Sequence, residues 1–159
     1  MLYTIPQFPD FLFSIEIVST KETFASNDTA NVVFLNPKLI FSTSILFSAL
    51  FKTIITYKNT NNKFNDQDFI RDIFINLLAV KNVKKVAFET FTNDPSAEEC
   101  LKIELLQEKE HIYSSVSKEQ SLEKLSETIL KIRDLNKINE IYGTIEERKI
   151  NDLIQMRGL

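Results

Sequence analysis

Along FLFSIEIVST (11–20), Phe11, Phe13, Ile15 and Ile17 alternate with Leu12, Ser14, Glu16 and Val18. Successive side chains of an extended chain point to opposite faces, so this period of two predicts a strand. ANVVFLN (30–36) predicts a second strand. Asn36-Pro37 ends it, because the residue before a proline is held in extended geometry. KETFASND between them predicts a turn or a short helix, and KVAFETFT (85–92) reads as a third strand.

Elsewhere the spacing is helical. TSILFSALFKTIITYK (43–58) contains neither proline nor glycine. Ser44, Ser48 and Lys52 recur four apart as one narrow polar stripe, while Leu46, Phe47, Leu50, Phe51, Ile54 and Ile55 cover most of the remainder. A helix apolar nearly all round is buried on more than one side. It is either a central core helix or a helix with one face in the core and another on a partner, and a β reading of TIITY stays open. The Asn-rich KNTNNKFN (58–65) predicts a loop, with Asn65 capping a helix over DQDFIRDIFINLLAV. Asp94-Pro95 resembles a cap followed by proline at the first helical position, so SAEECLKIELLQEKE predicts a further helix carrying Cys100.

From residue 118 on, Leu122, Leu125, Ile129, Ile132, Leu135 and Ile138 recur at spacings of three and four. They predict an amphipathic helix, bent or broken near Asp134 and closed by Gly143 as a left-handed C-cap. Thr144 and Glu147 then form a capping-box pattern that starts a last helix at once. Ile150, Leu153 and Ile154 are its apolar positions, with Arg157 one turn further. At about ten to thirteen residues such a helix is marginal alone in water. Either it folds back on its own domain or another protein completes it.

Composition narrows the chemistry. All phenylalanines fall between Phe8 and Phe91, and the Glu-, Lys-, Leu- and Ile-rich remainder has too few large residues for a core of its own. One α+β domain over residues 1–159 is expected. It should have a small mixed or antiparallel sheet of three to four strands, several packed α-helices and a short C-terminal helix. With Gly143 and Gly158 the only glycines, a glycine-rich phosphate loop is excluded. One histidine and one cysteine exclude a His/Cys zinc cluster. His111 sits in the charged stretch QEKEHIYSS and reads as a solvated helix end or turn. Cys100 reads as a small buried side chain rather than a reactive thiol. The acidic pairs Asp66/Asp68 and Glu98/Glu99 stand at predicted helix starts, where carboxylates complement the dipole. No catalytic set, cofactor site or metal site is therefore expected. A net charge of −3 lacks the basic excess of a nucleic-acid binder. No apolar run approaches the ~18 residues of a membrane span, and Pro6, Pro9 and Asp10 interrupt any signal-peptide pattern at the N-terminus.

Several short stretches stand in one order along the chain: IPQFPD (5–10) opening into the first strand, NPKLI (36–40) before the long helix, INEIYG (138–143) and NDLIQMRGL (151–159). This pattern resembles the kinase-binding subunit of the KEOPS (EKC) complex, the family whose human member is called the PRPK-binding protein. It is nearer the fungal members. The resemblance runs from residue 3 to 159 and departs in the middle. There, a further strand and a Leu-Ser-Pro…Asn-Ile segment common in the family give way to KNTNNKFNDQDF. The resemblance implies an accessory subunit and not an enzyme. Such subunits bind and stimulate the small atypical kinase/ATPase of the complex and touch the other subunits through it. They thereby support threonylcarbamoyladenosine modification of tRNA. It also implies links to telomere maintenance and a nuclear and cytoplasmic location. On this reading Ile150, Leu153, Ile154, Met156 and Arg157 dock the kinase, and Phe47, Phe51 and Ile55 form a second contact face. Contact with tRNA is weak at most, its residues are unassigned, and neither a membrane nor a specific DNA sequence is a partner. Two alternatives stand beside it: a module delivering the tRNA 3′ CCA end within the same complex, and an orphan α+β interaction domain.

Overall fold

The computed structural model describes residues 2–5, 8–21, 32–59, 72–77, 90–91, 96–106 and 118–156. Its strands are β1 (Leu2–Ile5), β2 (Phe8–Ser19), β3 (Val32–Leu35) and β4 (Glu99–Leu106). They form one antiparallel sheet in the order β1-β2-β4-β3. Register places Ile15, Ile103 and Val33 in one row across β2, β4 and β3, and Ile17, Leu101 and Leu35 in the next. All six are apolar, and all but the partly buried Ile17 are fully enclosed. Each such side chain contributes about 1.5–3 kcal/mol by leaving water. The opposite face carries the rows Glu16–Lys102–Phe34 and Ser14–Glu104–Val32, all half-buried. The β1–β2 register shifts between Thr4 and Ile5, opposite the stretch of β2 that contains Pro9, a residue with no N–H to give a ladder.

A 3-10 turn, Pro37–Leu39, leads into the helices α1 (Thr43–Asn59), α2 (Asp72–Leu77), α3 (Lys118–Ile132), α4 (Leu135–Tyr142) and α5 (Glu147–Met156). Local chemistry sets the starts. Asn36 Oδ1 accepts from the Lys38 N–H at 3.1 Å with Pro37 at the first position, and Ser42 Oγ accepts from the Ile45 N–H at 3.3 Å. Both are side-chain caps of otherwise orphaned donors.

α1 is the core helix. Ile45, Leu46, Ala49, Leu50, Thr53 and Ile54 are buried, packed with the inner sheet face, with Ile73, Phe74 and Leu77 of α2, and with α3 and α5. Its buried hydroxyl is satisfied twice: Thr53 Oγ1 donates to the Ala49 carbonyl and accepts from Asn76 Nδ2 of α2, each at 2.8 Å. The break near Asp134 is a junction. Asp134 Oδ1 caps α4 by accepting from the Asn136 and Lys137 N–H groups at 3.1 and 3.3 Å. The Asp134 N–H donates to the Lys38 carbonyl at 2.8 Å. Arg133 lies over the Phe41 ring at 4.6 Å and donates to the Phe41 carbonyl at 2.7 Å. α4 ends at Gly143, whose φ of 71° is the left-handed conformation that glycine adopts without a Cβ penalty.

Three expectations are corrected. Residues 99–106 form a strand, not part of a helix: Leu101 and Ile103 alternate with Lys102 and Glu104, and pairing on both edges with β2 and β3 overrides the helix propensity of Glu, Leu and Lys. Cys100 is buried as expected, but on this strand. Of the expected strand 85–92, Thr90 and Phe91 are helical, and the Phe91 carbonyl accepts from the Asn36 N–H at 2.9 Å. The rest of that segment, loop positions 60–65, the Asn65 cap and His111 lie outside the described residues. β1 was not foreseen.

Tyr142 ties α4 to α2. Its hydroxyl donates to the Leu77 carbonyl at 2.6 Å, and burial pushes its pKa well above the ordinary value of 10.0. Burial raises Tyr3 as well. A phenol whose pKa is higher folded than unfolded holds its proton more tightly when folded. The stability this gives is fully present below about pH 10 and is lost as pH rises beyond it. Tyr142→Phe is expected to cost about 1–3 kcal/mol at neutral pH, because the Leu77 carbonyl loses its donor. It should also flatten the alkaline loss. Urea melts of both proteins at about pH 7 and pH 10.5 check this, and equal alkaline slopes would refute it. For the sheet, Ile103→Ala should lose about 2–5 kcal/mol, while Glu104→Ala on the other face should stay within about 1 kcal/mol. Similar losses at the two positions would overturn the strand register.

Candidate partner-docking surface

α5 begins at Glu147, after the three non-helical residues 144–146 that follow Gly143. The Glu146 N–H donates to Thr144 Oγ1 at 3.1 Å, and Glu147 stands in the first turn, where a carboxylate meets the positive helix end. An exposed Glu146–Lys149 pair at 3.3 Å adds little. The helix lies on α1. Ile150 and Ile154, four apart, are both fully buried in the common core. This moves them from the expected contact set to the interior: they fasten the helix to its own domain and present no surface outside it.

Leu153, one position from Ile154 and turned away from it, is 37% exposed. Met156 is the last residue of α5, with its side chain outside the described residues, as is Arg157 altogether. On α1, Phe47, Phe51 and Ile55 are half-buried. Phe47 meets the Tyr3 ring edge-on with centroids 5.8 Å apart, so part of its surface is already used. Phe51 and Ile55 stand four apart and therefore share one strip of the helix.

Between the two helices runs a contact that sequence reasoning missed. Lys52 Nζ donates to the Ile154 carbonyl at 2.6 Å. The available signal is a cation in the middle of an otherwise apolar helix, within the narrow polar stripe of Ser44, Ser48 and Lys52. Also on α5, Asn151 Oδ1 is enclosed with no hydrogen-bond partner among the described residues. Leu122, Leu130, Leu135 and Ile145 are further exposed apolar residues, dispersed over several elements as single apolar side chains commonly are.

A cleft of about 350 Å³ separates the Pro37–Leu39 turn from the residues before β4 and the end of α3. Its charged residues, Lys38, Glu98 and Glu99, are all exposed, and neither buried tyrosine lines it. Among the described residues, no group of three His, Cys, Asp or Glu side chains could hold a metal ion, and no helix is long and apolar enough to cross a membrane.

Along its whole length the chain is similar to the EKC/KEOPS complex subunit CGI121 of Candida glabrata, at 29% identity over 178 residues covering 100% of both proteins. The pattern of the family described as kinase binding protein CGI-121 matches residues 16–157, from the middle of β2 to just beyond α5. With β3, β4, the core helix and the last helix inside a match that spans most of its length, the chain belongs to the kinase binding protein CGI-121 family.

Proposed function

We propose that this protein is a non-catalytic subunit of a KEOPS-type complex, and that it docks on and stimulates the complex's small atypical kinase/ATPase. The family match over residues 16–157 carries this reading, and the full-length similarity to an EKC/KEOPS subunit supports it. Its contribution to tRNA threonylcarbamoyladenosine formation is then indirect. Binding energy that favours one conformation of the kinase over another raises the population of that conformation. With a net charge of −3, any tRNA contact depends on surfaces shared with its partners.

The docking surface we assign is the outer strip of α1 at Phe51 and Ile55 together with Leu153 of α5. These side chains are apolar and incompletely covered. Two adjoining helices offering aliphatic and aromatic anchors suit the face of a folded partner, and a few such anchors dominate affinity.

Calorimetric titration of the purified chain into the KEOPS-type kinase of the same genome tests the reading. Leu153→Glu is expected to weaken binding by about tenfold or more, with folding intact because the side chain projects from the core. Leu130→Glu, on α3, should bind as the wild type does. Absence of any binding by the wild-type chain would sink the kinase-subunit reading. Equal affinity of wild type and Leu153→Glu would remove α5 from the surface while keeping the partner.

A further inference from the structure

The last carbonyls of a helix have no partner within it. In α5, the Ile154 carbonyl is one of these, and Lys52 Nζ, 102 residues earlier in the chain, donates to it at 2.6 Å. An ammonium at this end also meets the negative pole of the helix. Ile150 and Ile154 secure α5 to α1 by apolar burial, which is non-directional. Two aliphatic side chains hold a helix down without fixing its rotation or its axial position. A hydrogen bond from a half-buried stem to one named carbonyl fixes both.

Asn151 supplies the opposing force. Its Oδ1 is enclosed without a hydrogen-bond partner among the described residues, and a desolvated, unpaired oxygen favours any roll of the helix that returns it to water. The seat of α5 is thus a balance between a side chain that gains by rolling out and a lysine that pins the last turn. On α1, Ile55 follows Lys52 by three residues, so the turn of α1 that reaches the Ile154 carbonyl is also the one that carries the Phe51–Ile55 strip.

We infer that Lys52 is a positioning residue for partner docking: by holding the Ile154 carbonyl it sets the seat of α5 on α1 and so joins Leu153 to Phe51 and Ile55 as one surface. This rests on the kinase-subunit reading for the partner, and on the described contacts alone for the seating of α5.

Two variants of the full chain test it. Lys52→Met keeps the aliphatic stem and loses the donor, and Lys52→Arg keeps a cationic donor. Amide hydrogen exchange within residues 150–156 should accelerate about fivefold or more in Lys52→Met, with β4 unchanged, and return toward wild type in Lys52→Arg. Kinase affinity measured by calorimetry should fall about three- to tenfold in Lys52→Met. In the double variant with Leu153→Glu the two losses should be non-additive, since both act through the same side chain's placement. Unchanged exchange in α5 would overturn the inference whatever the kinase does. Accelerated exchange with additive losses would overturn the positioning role and leave Lys52 as a stability contact. If the wild-type chain binds no kinase, the docking half falls with the functional reading, while the exchange data still decide whether Lys52 seats the helix.

Discussion

The structure depends on covering α1. A helix of seventeen residues that is apolar on nearly every side cannot rest against one neighbour. Here the inner face of the sheet takes Ile45, Leu46 and Leu50 into a common core, α2 closes over the later turns, and α5 covers a further side. The antiparallel sheet can do its part because Ile15, Ile103 and Val33 form one continuous apolar row. None of these elements is large enough to bury α1 alone. The small helices are in turn too short to persist without it, so core helix and covering helices stabilise one another.

Apolar burial decides that these elements meet, and a few directed polar bonds decide how. Thr53 with Asn76, Tyr142 with the Leu77 carbonyl, Arg133 with the Phe41 carbonyl and Lys52 with the Ile154 carbonyl each join two segments distant in sequence. Three of the four use a main-chain carbonyl as acceptor: those of Leu77 and Ile154 in the closing turns of α2 and α5, and that of Phe41 in the irregular segment before α1. A carbonyl left buried without a donor would cost about 1–3 kcal/mol. The domain therefore uses long polar side chains to reach main-chain carbonyls at the ends of segments, and these bonds set how the packed elements are oriented.

Much of this was legible in the sequence where the signal was local. The alternation through Phe13 and Ile15, the break at Asp134 and the glycine at 143 are each set by neighbouring residues, and the structure follows each; the capping box expected of Thr144 and Glu147 is replaced by Thr144 Oγ1 accepting from the Glu146 N–H ahead of a helix that starts at Glu147. The family resemblance was equally readable from the segments at the two ends of the chain. β4 was misread because its residues favour a helix on their own. Leu101 and Ile103 alternate with Lys102 and Glu104, but only pairing on both edges makes that alternation decisive, and such pairing is a property of the whole sheet. The docking surface was legible only in part. Spacing showed that Ile150, Leu153 and Ile154 lie along α5, but it cannot say which of its sides faces home. A one-residue difference, Leu153 against Ile154, separates a 37% exposed side chain from a fully buried one.

That separation bears on how a short terminal helix can serve two purposes. A docking helix that had to leave its domain to bind would uncover Ile150 and Ile154, and with them part of the core around α1. Each buried isoleucine would oppose the exchange by about 1.5–3 kcal/mol, subtracting from whatever the partner contributes. A helix that stays seated avoids this loss. It keeps the two isoleucines inward, offers Leu153 outward, and reaches the partner already ordered, so binding need not offset the entropy of forming the helix. For the same reason, removing the helix and altering its outer side are different perturbations. Removal opens the core, whereas a change at Leu153 leaves the core as it was. Only the second isolates recognition from folding, and it is informative because α5 is held in place by contacts that do not involve Leu153.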